Sequence, residues 1–77
     1  MPSPSELSFA LRGDFITLDK LLKACGLAGS GGVAKLMVAD GLVTVDGQPE
    51  TRKTAKIRAG QTVQCQGQTI RVESAPD

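Results

Sequence analysis

The chain contains no histidine, tryptophan or tyrosine, and its only aromatic residues are Phe9 and Phe15. Without imidazole the commonest general base is gone, and no carboxylate pair or nucleophile beside a base stands out in its place. Catalysis is therefore not expected. Two cysteines without histidine fall short of the four protein ligands of a structural zinc site, so neither a metal nor any other cofactor is predicted. Cys25 lies on the apolar side of a helical pattern and Cys65 in a strand pattern, which predicts small buried thiols in a reducing compartment. Long apolar runs are missing too. Nothing approaches the ~20 residues of a membrane span, and Pro2, Ser3, Pro4 and Glu6 stand where a secretory signal would begin with basic residues. A cytoplasmic protein with no membrane partner is predicted.

What the chain does have is modest. Its 77 residues suffice for one domain, and a domain of that size buries about 60% of the surface its unfolded chain would expose. The core must come from Leu, Val, Ile, Ala and Met. Residues 1–6 are expected to form a disordered tail, 7–73 a single domain, and 74–77 a second tail, the whole chain a monomer. Formal net charge is only +1. Its distribution says more: from Phe15 to Val72 there are eight basic residues and four acidic ones, hence +4, and the other acids lie toward the ends. A basic body with acidic ends suits a polyanionic partner, although a solvated charged surface gives the same counts. With so few aromatics, stacking on bases is not a main binding mode.

The organising stretch runs from Leu18 to Gly47. Leu18, Leu21, Leu22 and Cys25 recur at helical spacing, with Lys20 and Lys23 turned outward, Thr17 as N-cap and Gly26 as the left-handed stop. A second helix begins at Ser30, passes Gly31 and Gly32, and carries Val33, Leu36 and Met37 on its apolar side until Gly41. Its first turn is nearly bare backbone. Two readings stand: free amides and the positive dipole end hold an anion there, with Lys35 one turn on, or the glycines only allow a sharp entry between packed helices.

Leu7 to Leu11 alternates apolar and small residues ahead of the Gly13-Asp14 turn, and reads as a strand. Val43 and Val45 alternate about Thr44, and Asp46-Gly47 is a two-residue hairpin signal because both turn positions need positive φ. Pro49 confines the return arm to an edge. Arg52, Lys53, Lys56 and Arg58 then concentrate positive charge with no acid among them, and Ile57 can anchor that loop to the core. Val63 with Cys65 and Ile70 with Val72 alternate around Gln66-Gly67, a closing hairpin. Helices early and strands late predict an α+β domain: two short helices packed on a small, twisted, mainly antiparallel sheet.

Leu18-Asp19, Gly26, Ala28, Ser30, Ala34-Lys35, Gly41 and Val45-Asp46-Gly47 match in type and spacing the RNA-binding domain named after ribosomal small-subunit protein four, also called the alpha-L motif. Gly13-Asp14, Ser30-Gly31-Gly32 and Glu50-Thr51-Arg52-Lys53 resemble the short stand-alone bacterial members of that family. Thr17 and Gly31 stand where many members have basic residues, and Gln61 where an aspartate is common. The resemblance implies the alpha-L fold and a non-catalytic module for structured RNA, ribosomal or transfer RNA, read through phosphates and shape. Lys20, Ser30, Gly31, Gly32, Lys35, Arg52, Lys53 and Lys56 are the residues to which it points for RNA binding. A second reading, a protein-interaction adaptor, would use the same basic loop and the edge strand at Pro49.

Overall fold

The computed structural model describes residues 6–75. The order of elements is β1 (Glu6–Leu11), β2 (Ile16–Thr17), α1 (Leu18–Ala24), α2 (Gly31–Ala39), β3 (Val43–Val45), β4 (Gln48–Pro49), β5 (Lys56–Ile57), β6 (Thr62–Cys65) and β7 (Gln68–Ser74). Residues 1–5 and 76–77, where most of the two tails was expected, lie outside the described residues. Glu6 and Ser74, also assigned to the tails, are strand residues paired across β1 and β7.

The main sheet has the order β1-β7-β6-β3-β4, and β2 with β5 forms a separate two-stranded sheet. All pairings are antiparallel except β1 with β7. The fold is thus α+β with a mixed, mostly antiparallel sheet. Alternation along β6 and β7 sends Val63, Cys65, Ile70 and Val72 into the core, where Leu18, Leu21 and Leu22 of α1 meet them. Among the described residues no helix is long and apolar enough to cross a membrane.

Local signals in the sequence explain the turns. Asp46 and Gly47 have φ of 52° and 85°, the left-handed pair of a tight hairpin. The Asp46 carboxylate then accepts from the Thr62 amide at 2.9 Å and from Gln61 Nε2 at 3.3 Å, which ties this turn to the start of β6. Gln61 also accepts from the Arg58 amide at 2.7 Å, so the amide side chain does two jobs, one of which needs a donor that aspartate lacks.

Two expectations need correction. The inner face of α2 is Ala34, Met37 and Val38, not Val33, Leu36 and Met37. Val33 is 44% exposed and Leu36 62%. The small Ala34 side chain permits close approach at the buried stripe, which a search for large apolar residues passes over. Thr17 does occupy the N-cap of α1, but its hydroxyl makes no capping bond. Main-chain carbonyls from a distant loop meet the α1 amides instead.

Candidate functional site

That loop lies between β4 and β5. The Leu18 amide donates to the Ala55 carbonyl at 3.0 Å, and the Asp19 amide to the Lys53 carbonyl at 3.1 Å. Two of the orphan donors at the start of α1 are thereby satisfied by the chain that carries the basic side chains. Thr17 pairs with Lys56 and Ile16 with Ile57 across the small sheet, and Ile57 is only 1% exposed. The loop is pinned by its backbone and also in the core, the latter as the position of Ile57 predicted.

Pinning gathers one group of candidate residues. Lys20 stands exposed in the first turn of α1, Lys53 is exposed on the loop held against that turn and Lys56 at the start of β5, and Arg52 adjoins them. Arg52, Thr54, Ala55 and Lys56 line an open hollow of about 370 Å³. Lys56 Nζ sits 5.0 Å from the centroid of the Phe15 ring, a cation–π contact that holds the ammonium at the surface. Phe15 was not singled out by sequence; the available signal was a large apolar side chain between a Gly-Asp turn and a strand.

Nearby carboxylates respond to this environment. The Asp19 carboxyl is held below its usual range, first by the Thr17 hydroxyl beside it, then by the Lys20 amide and the charge of Lys53, against the opposing effect of burial. That hydroxyl, otherwise buried and without a hydrogen-bond partner of good geometry, faces a carboxylate rather than a helix amide. Glu50 is held low by the Arg52 amide and then the Arg52 side chain. Its Oε1 accepts from the Arg52 amide at 3.0 Å and from Nε at 3.3 Å. The basic run contains no acid, and Glu50, just before it, supplies the partner of Arg52.

A second group lies at the start of α2. Ser30 Oγ accepts from the Val33 amide at 3.3 Å, and the Ser30 carbonyl accepts from Ala34. The amides of Gly31 and Gly32 have no acceptor among the described residues. A Cβ built on Gly31 meets nothing within 4 Å, and one on Gly32 meets only Ser30 Oγ at 3.8 Å. Neither glycine has positive φ. A Cβ at either position would therefore find room, so close packing does not account for the two glycines. Lys35 follows on the same side, exposed.

Nothing in either group resembles a reaction centre. Both thiols are free; Cys65 is buried as expected while Cys25 is only half-buried, and burial pushes the pKa of each up. Among the described residues no group of three or more metal-ligating side chains converges.

The S4 domain family matches residues 9–73. YbcJ of Escherichia coli (strain K12), provisionally named an RNA-binding protein, is 49% identical over 57 residues, covering 74% of this chain and 81% of YbcJ. YbcJ of Shigella flexneri, an uncharacterized protein, gives the same identity and coverage. The solution structure of Escherichia coli YbcJ, described as an αL motif involved in RNA binding, superposes with a TM-score of 0.65 at 40% identity, covering 96% of this chain and 92% of that one. With the family matched over residues 9–73 and the αL structure superposing along nearly the whole chain, the chain belongs to the S4 domain family.

Proposed function

We propose that this protein is a non-catalytic, cytoplasmic RNA-binding module that holds structured RNA, ribosomal or transfer RNA, through its phosphates and shape. The observation that carries this function is the docking of the basic loop on α1. The Leu18 and Asp19 amides fix the loop backbone, so Lys53 and Lys56 meet a phosphate strand from a set position beside Lys20 and Arg52. Cations already held in place lose less freedom on binding.

The start of α2 takes a second stretch of backbone. Open amides at Gly31 and Gly32, the N-terminal end of the dipole and Lys35 make a surface suited to one phosphate, with Ser30 fixing the turn. Two phosphate contacts on adjoining helices select for the path of a folded RNA rather than for its bases.

The test is a titration of structured RNA over a salt series. If four to six phosphates are neutralised, log K falls against log salt with a slope of roughly −3 to −5. Affinity that stays constant from low to moderate salt removes the phosphate mechanism.

A further inference from the structure

The main sheet ends in two unlike edges. β4 is two residues long and includes Pro49, which has no N–H to offer a further strand. β1, at the other end, runs six residues from Glu6 to Leu11 and contains no proline or lysine, the usual devices for closing an edge.

β1 pairs in parallel with β7 along its length, and the Ala75 amide donates to the Leu11 carbonyl at 2.9 Å. Backbone groups alternate in direction along a strand. Those of Leu7, Phe9 and Leu11 therefore point toward β7, and those of Glu6, Ser8 and Ala10 point out of the sheet. Among the described residues these outward groups have no hydrogen-bond partner.

The same edge is self-complementary. Glu6-Leu7-Ser8-Phe9-Ala10-Leu11-Arg12 reads alike in both directions by chemical class, except that its charged ends are opposite in sign. Laid antiparallel on a second copy about Phe9, it sets Glu6 against Arg12, Leu7 against Leu11, Ser8 against Ala10, and Phe9 against its own equivalent. The parity also fits. Ser8 and Ala10, whose groups face outward, fall in hydrogen-bonded pairs, while Phe9 and the leucines fall in the pairs whose side chains come closest. Leu7 and Phe9 are only partly buried, so pairing covers apolar surface. A shift of two residues either way loses the Glu6 to Arg12 pairing. Arg12 has no ion pair among the described residues, and Glu6 bonds Arg71 through Oε1 at 3.2 Å, leaving its second oxygen for the incoming guanidinium.

We propose that β1 is a self-association edge, through which two copies join antiparallel about a two-fold axis into one continuous sheet. This departs from the monomer predicted by sequence. A single strand pair makes a small interface, below the ~1,200 Å² of stable complexes, so a dissociation constant on the order of 100 µM is expected.

Sedimentation velocity from about 10 µM to about 1 mM spans that range, with amide hydrogen exchange at both ends of it. The expected result is a monomer–dimer equilibrium in which the Ser8 and Ala10 amides slow with concentration while the Phe9 amide is protected throughout. Arg12→Glu, at an exposed position outside the strand, sets two carboxylates opposite each other and weakens the dimer by roughly tenfold or more. Ala10→Pro removes one outward donor and weakens it as well, with circular dichroism confirming the fold, while Gln48→Glu on the other edge leaves it unchanged. Monomer at every concentration, exchange at Ser8 and Ala10 that ignores concentration, or a dimer indifferent to Arg12→Glu overturns the proposal. RNA takes no part in these measurements, so the binding function stands or falls separately.

Discussion

Arg52 and Arg71 each face a glutamate, Glu50 at 3.3 Å and Glu6 at 3.2 Å, yet their surroundings differ. Arg71 lies on the outer face of the sheet, flanked in register by Ser8 and Thr62, with Glu73 two residues on along the same strand face. Two carboxylates, Glu6 and Glu73, flank this cation. Arg52 is followed by Lys53 and Lys56 on a loop pinned to α1, where Lys20 also stands. A single ion pair does not decide whether an arginine can serve an anion. The fixed cations around it do, because an exposed pair is itself weak.

The comparison breaks most severely if the loop comes loose. Ile57 is its buried anchor, and Ile57→Ala is expected to lower stability by about 2–4 kcal/mol through lost burial and the cavity left behind. Urea unfolding measures that loss. RNA affinity of the still-folded fraction should fall as well, although no charge has been removed. Full affinity in that variant would mean that the cations act without being held.

Removing charge is the next step down. Arg52→Ala with Lys53→Ala is expected to weaken RNA binding by about 1 kcal/mol or more and to flatten the salt slope by about 2, Lys35→Ala to do so more mildly, and Arg71→Ala to change little. RNA titrations of each variant at two salt concentrations decide it. Equal losses at Arg71 and at the loop pair would make the surface generically basic.

Gly31 separates a fold requirement from a ligand requirement. Since an added Cβ meets nothing there and φ is not positive, Gly31→Ala should stabilise the domain by roughly 0.4–1 kcal/mol. Gly31→Glu should instead weaken RNA binding, because it brings negative charge to the open amides. Thermal unfolding reads the first and RNA titration the second. A Gly31→Glu protein that binds like the original would end the role of α2.

How far the sequence foretold these features depends on where the information sits. Leu18, Leu21 and Leu22 were legible because large apolar residues at helical spacing leave one face to choose. In α2 nearly every residue is apolar or small, so spacing alone did not separate Ala34 and Val38 from Val33 and Leu36. Asp46-Gly47 and Gln66-Gly67 were legible because the turn demands particular residues; all four have positive φ. The docking of the loop on α1 was not, since it runs through carbonyls of Lys53 and Ala55 that any residue could supply. Nor was the parallel pairing of β1 with β7, which joins the two ends of the chain. The basic residues were visible as a run with Ile57 as their anchor, and the backbone bonds that hold them against α1 were not.

The smallest expected effect tests the comparison most finely, because it leaves every cation in place. Glu50 has its pKa lowered below 4.5, first by the Arg52 amide and then by the Arg52 side chain. A carboxyl with a depressed folded-state pKa favours the folded state above its unfolded pKa, and that contribution is lost as pH falls through the folded value. At neutral pH it is therefore present, and Glu50→Gln should lower stability slightly and flatten the acid side of the stability profile below about pH 4.5. The same change removes a negative charge beside Arg52 and leaves the guanidinium freer to meet phosphate, so RNA affinity should rise about twofold to threefold, the size of one exposed ion pair. Glu6→Gln frees Arg71 in the same way, but outside the group formed by Lys20, Lys53 and Lys56, and should leave RNA affinity unchanged. Parallel RNA titrations at neutral pH compare the two, and a gain at Glu6 equal to that at Glu50 would show that the two arginines stand in equivalent surroundings after all.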